Sequence, residues 1–273
     1  MLNKVCVLIR VYNRIEDLKY CIDIIKDTWK NNDFYIIVVS NGKKDGYIID
    51  VNTVEKIDLL IEIENNIGHF NGNSQLLKAG LEHIPNDCNY TVILEADTWV
   101  YGDELITKYI KRMAVESAVW ASAQFFRYVV NLATDFAIIK TAFIKSHPEV
   151  FSFSLTPEYY IGEYLYKNKY KYIYIKENMP VNLPKYIKKY PYAPTGRFFV
   201  FPKSKMVTHH IESLKNGMDE KKDHFNVLSN TNYFKIRNET SMFLMRIKMN
   251  VAITLSSLIP YKSWFVKSPK FYK

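Results

Sequence analysis

The first hundred residues alternate between short β-rich apolar runs and segments with helical spacing, and each run ends in a polar turn. Val5–Val11 is the first run. Residues 14–29 then carry Ile15, Leu18, Cys21, Ile22 and Ile25 at the spacing of one helix face. Phe34–Ser40 is a second run, closed by the turn pair Asn41-Gly42. Leu59–Ile63 is a third. Residues 71–83 return to helical spacing through Leu76, Leu77, Gly80 and Leu81. Tyr90–Leu94 is a fourth strand, ended by Glu95-Ala96-Asp97. This alternation predicts βαβ units and a largely parallel sheet, hence an α/β fold. In such sheets ligands bind beyond the carboxyl ends of the strands. The candidate site is therefore the set of residues that follow the runs: 10–14, 40–42 with Asp45, 65–68 with Gly72 and Asn73, and 95–97.

The second half reads differently. Ala118–Val130 and Phe136–Ile144 read as strands, and 157–167 as a helix followed by a strand at Tyr170–Ile175. Residues 176–205, rich in Lys, Tyr and Pro, read as extended loops. From Asn238 a helix is expected, with Met242, Phe243, Met245, Ile247, Met249 and Val251 around Arg246 and Lys248, ended by Pro260. No repeat recurs at a fixed period.

With 9 Gly and 10 Pro in 273 residues, collagen-like and low-complexity disordered chains are excluded. The formal net charge of +9 favours anionic partners: nucleic acid, phosphate-bearing small molecules or acidic membranes. No zinc-finger or RNP-like pattern supports nucleic acid. The three cysteines, Cys6, Cys21 and Cys88, form no CxxC, which argues against a disulfide framework or zinc site and for a reducing, cytoplasmic compartment. The apolar run after Lys4 is too short for a signal peptide, and the charge-free stretch Met249–Tyr261 is too short to span a bilayer as a helix.

The turns at the strand ends carry a further signal. Val11-Tyr12-Asn13-Arg14, Ser40-Asn41-Gly42, Asn66-Ile67-Gly68 and Glu95-Ala96-Asp97 occur in that order, each at a strand end. In this the chain resembles the family 2-like glycosyltransferases of GT-A fold, over roughly its first third to half. There the turns read Thr-Tyr-Asn-Arg, Asp-Asn-Gly or Asp-Asp-Gly, Asn-x-Gly and Asp-x-Asp. Ser40 departs from the family's acid, which leaves the base of any bound nucleotide open.

The resemblance implies a nucleotide-sugar donor, UDP- or GDP-linked, with Mn²⁺ or Mg²⁺, and a glycan or lipid-linked acceptor. A hard divalent cation would neutralise the donor diphosphate as the bond to the sugar breaks. By the same resemblance Asp97 is the metal-ligand candidate, and Glu95 contacts ribose or a metal-bound water. Alone, both read as ordinary surface acids at a loop start. Tyr12 is placed against the base and Asn41 on base or ribose, though both also suit turns for backbone reasons. Asn66, Gly68 and Asn73 lie where a helix start offers free N–H groups to an anion. Val11, Asn13, Arg14 and Ala96 complete the donor-side set.

An inverting transferase also needs a carboxylate base. The family places an acid before a helix that is followed by a short strand, which makes Glu158 the first choice, Glu163 the second and Asp135 the third. Glu158 just after Pro157 also suits a helix N-terminus. A late His is a further ligand in many GT-A enzymes, and His209-His210 is the candidate pair, with His210 preferred. Adjacent residues in a strand face opposite ways, so one of the two should reach a metal. Trp99 and Tyr101 can wall the donor site or belong to the core. Residues 185–197 can hold diphosphate, with Arg197 the favoured phosphate contact, or form a solvated face. Residues 242–272 suit an acidic membrane surface or a packing helix. The expected organisation is a GT-A domain over 1–235, with a nucleotide-sugar half at 1–100 and an acceptor half at 101–235, and a basic helical extension over 236–273. The alternatives are a non-catalytic membrane-surface or polyanion-binding module on the same fold, and a nucleotidyltransferase. The absence of a glycine-rich loop after the first strand disfavours the latter.

Overall fold

The computed structural model describes residues 3–124, 130–178, 197–201 and 203–229, with helical positions at 247 and 251. In chain order the elements are β1 (Lys4–Val11), α1 (Ile15–Thr28), β2 (Asp33–Ser40), α2 (Val51–Val54), β3 (Leu59–Glu62), α3 (His69–Leu81), β4 (Tyr90–Glu95) and β5 (Trp99–Val100). They continue as α4 (Glu104–Glu116), β6 (Trp120–Ser122), β7 (Phe136–Lys140), α5 (Thr141–Ser146), α6 (Pro157–Lys167) and β8 (Tyr172–Tyr174). β9 (Phe198–Phe201), β10 (Met206–His209) and α7 (Gly217–Ser229) complete the set.

Seven strands form one sheet in the order β3-β2-β1-β4-β7-β6-β8. β1 pairs in parallel with both β2 and β4, and β7 runs against its neighbours β4 and β6. The central strands are apolar on both faces because helices cover both. One core layer holds Val5, Val7 and Ile9 of β1 with Leu18 and Ile22 of α1 and Ile106 of α4. The other holds Cys6 and Leu8 with Leu77 of α3 and Ile161 of α6. Gly80 lets α3 lie close on the sheet, since a Cβ there would meet Leu8 Cδ1 at 2.2 Å. The three cysteines are buried and free. A smaller antiparallel sheet, β5-β10-β9, carries residues near 207 back to the end of β4.

All four early strands form where expected, and the topology is the α/β arrangement anticipated. Several later expectations are corrected. The strand expected over Phe136–Ile144 stops at Lys140, and α5 follows. Its short apolar run has no periodicity to separate strand from helix. The strand expected over Ala118–Val130 is confined, among the described residues, to Trp120–Ser122. Within 176–205, Phe198–Phe201 is a strand, because its aromatic run pairs with β10. Helices α4 and α7 occupy stretches to which no element was assigned from the sequence. The expected extension at 236–273 lies outside the described residues apart from 247 and 251, as do residues 185–196. Among the described residues no helix is long and apolar enough to cross a membrane.

Candidate active site

The carboxyl ends of β1, β2 and β4 meet the start of β7 and the end of β10. β1 and β4 leave the sheet side by side. Ala96 N–H donates to the Arg10 carbonyl at 3.1 Å, and Glu95 N–H to the Asp135 carbonyl at 3.0 Å. Thr98 N–H then closes a turn on the Glu95 carbonyl at 2.9 Å. The acids of 95–97 are thus held on a fixed turn.

Three side chains converge there. Ligand atoms of Glu95, Asp97 and His209 all lie within 4.8 Å of one another. Arg10, 4% exposed although inside an apolar strand, donates to Glu95 Oε1 at 2.7 Å and to the Thr134 carbonyl at 2.5 Å. Its guanidinium fixes one Glu95 oxygen, while Oε2 lies 3.6 Å from His209 Nδ1. His209 Nε2 lies 3.7 Å from Asp135 Oδ2, so the imidazole stands between two carboxylates at ion-pair distance. His209 has φ +70°, a left-handed conformation that His adopts more readily than most residues but at a cost. This conformation ends β10 and points the imidazole at the acids. Asp97 is buried, and its Oδ1 has no hydrogen-bond partner among the described residues.

The charges set the protonation. Burial pushes the Asp97 carboxyl up, but Lys221, His209, Arg14 and His210 together hold it below the ordinary range. Burial pushes Asp135 up to about 7, with Glu95 adding to the rise and His209 opposing it. Burial works against protonated His209, but Asp135, Asp97 and Glu95 outweigh it and raise its pKa. Glu158, on the first turn of α6, is raised mainly by burial, with Glu95 contributing.

His210 follows β10, and the left-handed His209 breaks strand alternation, so the two rings stack with centroids 6.1 Å apart instead of facing opposite ways. His210 Nδ1 lies 3.0 Å from Arg14 Nη2, and Arg14 also pairs with Glu212 at 2.6 Å. Burial and nearby Arg197 lower the His210 pKa. Of the candidate pair, His209 and not the preferred His210 lies among the acids, and His210 lies with Arg14, Glu212 and Arg197. Glu163 is not brought to the site either, because it pairs with Lys167 on the exposed side of α6.

The β1 and β2 turns are fused by Gly42. A Cβ there would stand 2.2 Å from the Tyr12 carbonyl oxygen. Tyr12 packs edge-on to Tyr47 at 5.2 Å, and nearby Asp45 raises its pKa. Ser40 Oγ accepts from Gly42 N–H at 3.4 Å. Buried Asn41 reaches Asn66 Oδ1 at 3.5 Å, and its own Oδ1 has no partner among the described residues. Asn66 Oδ1 also accepts from Gly68 N–H at 3.0 Å, just before α3. Gly68 has φ +95° and starts the helix that carries half-buried Asn73. Asn13 is exposed beside half-buried Tyr12 and Arg14, while Val11 and Ala96 are buried. Trp99 is 1% exposed against Phe225 and Tyr20, and Tyr101 also packs on Phe225, so both belong to the core.

The family model "Glycosyl transferase family 2" matches residues 6–189, well over half the chain. The chain belongs to glycosyl transferase family 2. Among solved structures, a mannosyltransferase from Pyrobaculum calidifontis, described in complex with GDP-Man and Mn²⁺, is 15% identical with a TM-score of 0.50. The match covers 64% of this chain and 55% of that one. The S. aureus TarS fragment 1–349 is 11% identical with a TM-score of 0.40, over 54% of this chain and 49% of that one. The chain thus spans about half the length of these solved chains. No curated protein matches it.

The fold is the GT-A arrangement of this glycosyltransferase family. His209 and Lys221 nevertheless lie beyond the family-matched segment. Arg10 was named in the candidate set without a role, and Lys221 escaped the sequence reading. Arg10 closes an apolar run and looks like the first residue outside it. Lys221 sits among charged residues of α7 and looks solvated, yet it is fully buried. Its partner, the acid Asp17, is 204 residues away in the chain.

Proposed function

We propose that this family 2 chain transfers a sugar from a UDP- or GDP-linked donor to a glycan or lipid-linked acceptor, with inversion, using Mn²⁺ or Mg²⁺ held by Glu95, Asp97 and His209. The observation that carries the reading is the convergence of these three side chains at the carboxyl ends of the strands. The donor set fits such an ion: two carboxylates and an imidazole, with a buried Asp97 oxygen that lacks a partner among the described residues. A bound divalent cation supplies positive charge against the donor diphosphate.

The chain's own residues account for the rest. Tyr12, Asn41 and Asn66 border the mouth of the β1 and β2 turns, where a nucleoside would lie. Arg14 and Arg197 offer cationic contacts to the departing phosphates, and His210 offers a hydrogen bond. Glu158 accepts the acceptor's hydroxyl proton as that oxygen attacks the anomeric carbon. The bond from that carbon to the diphosphate oxygen breaks, and the nucleoside diphosphate leaves with the electron pair. Burial raises the Glu158 pKa, which makes its carboxylate a stronger proton acceptor. The mannosyltransferase described with GDP-Man and Mn²⁺ supports the choice of ligands. The formal net charge of +9 and the basic 236–273 segment support an acceptor presented at an acidic membrane surface.

The test is a donor panel. The purified chain is incubated with UDP-, GDP-, CMP- and dTDP-sugars, with Mn²⁺ or with EDTA, and released nucleotide is measured. Release from one donor, abolished by EDTA, supports the reading. Release that EDTA leaves unchanged refutes the metal's part in it.

A further inference from the structure

Lys221 lies on α7, 124 residues beyond Asp97, and its side chain is fully buried. A buried ammonium is costly unless it is paired and hydrogen-bonded. Lys221 Nζ donates to Asp17 Oδ1 at 2.5 Å and to the backbone carbonyl of Asp97 at 2.6 Å, and it lies 4.3 Å from the Trp99 ring centroid. Asp17, on α1, is itself 2% exposed. For stability alone, well-packed apolar residues serve as well as a buried ion pair. What apolar residues cannot supply is a donor fixed on one particular carbonyl, here that of the acid with the unpartnered Oδ1.

We propose that Lys221 is a positioning residue: by holding the Asp97 carbonyl it fixes the turn from which the Asp97 carboxylate projects, and so sets the site's affinity for a divalent cation. This rests on the reading of Asp97 as a metal ligand. Lys221 and Asp17 together carry no net charge, so replacing both keeps the chain's net charge; because Lys221 also lowers the Asp97 pKa, amide exchange at 96–98 is the readout that reports geometry apart from charge. The proposal also extends the functional unit to α7, past residue 189 where the family match ends.

The experiment compares the wild-type chain, Asp17→Asn and Asp17→Asn/Lys221→Met. Folding is checked by circular dichroism. Amide exchange of residues 96–98 is followed by mass spectrometry, and Mn²⁺ affinity by electron paramagnetic resonance of the free ion. In the double variant, exchange at 96–98 is expected to rise at least tenfold and the Mn²⁺ Kd at least tenfold. In Asp17→Asn, which keeps the Lys221 bond to Asp97, exchange stays within threefold of wild type. If the double variant does not fold, Asp17→Leu/Lys221→Met replaces it, filling the space with apolar atoms. A folded double variant with both readouts within twofold of wild type would overturn the proposal, and so would equal loosening in Asp17→Asn. A wild type that binds no Mn²⁺ would refute the metal reading itself, a result distinct from either.

Discussion

Asp135→Asn should change the pH dependence of stability in a direction that the structure dictates. The Asp135 carboxyl is 2% exposed, its Oδ2 lacks a hydrogen-bond partner among the described residues, and burial lifts its pKa from 3.8 to about 7. The folded chain therefore holds this proton more tightly than the unfolded chain. The stabilisation is fully present below the unfolded pKa and is lost as pH rises to about 7. At about 1.36 kcal/mol per pH unit the full span amounts to roughly 4 kcal/mol, of which about 3 kcal/mol falls between pH 5 and pH 8. Asn at 135 does not titrate. Urea melts of metal-free wild type and variant at pH 5 and pH 8 should show the variant gaining about 3 kcal/mol relative to wild type at the higher pH. His209 titrates in the same interval, so the pair is also compared in a His209→Gln background. A difference between variant and wild type that is the same at both pH values would refute the burial argument.

Two further predictions concern α6. Glu158→Gln should leave donor binding within about threefold of wild type but lower transfer by at least about a hundredfold, as loss of a general base would; unchanged transfer would remove Glu158 from the mechanism. Gly162→Ala should cost about 1–3 kcal/mol in denaturant melts, because its Cβ would meet the Val130 carbonyl oxygen at 2.8 Å, a backbone atom that cannot swing aside. A neutral effect would mean that the loop before Asp135 yields more readily than the packing indicates.

The strand ends were legible because the local signals agree there: β-rich runs, turn residues and helical spacing all point to one α/β topology. Glu95, Asp97, Tyr12, Asn41 and Asn66 follow from that agreement, since a parallel sheet brings the ends of its strands together. Residues delivered by the later chain were harder. The choice between His209 and His210 depends on one left-handed residue at the end of β10, which no periodicity encodes. Lys221 is flanked by Glu220 and Lys222, so its stretch reads as a solvated face, and only the long-range pair with Asp17 makes burial tolerable. Asp135 was the third candidate base, just before the strand at Phe136, and its burial follows from the pairing of β7 between β4 and β6. Glu163 has the residue type and spacing of a base, but it lies on the exposed side of α6 with Lys167.

The central claim is that Glu95, Asp97 and His209 form a divalent-cation site for the donor diphosphate. Mn²⁺ titration of the wild type, His209→Ala and His210→Ala, in the presence of UDP or GDP and followed by paramagnetic resonance, tests it most directly. The account predicts a Kd raised at least about tenfold by His209→Ala and changed less than about threefold by His210→Ala, as loss of an inner ligand differs from loss of a neighbouring side chain. The reverse order, or equal binding by all three proteins, would contradict it.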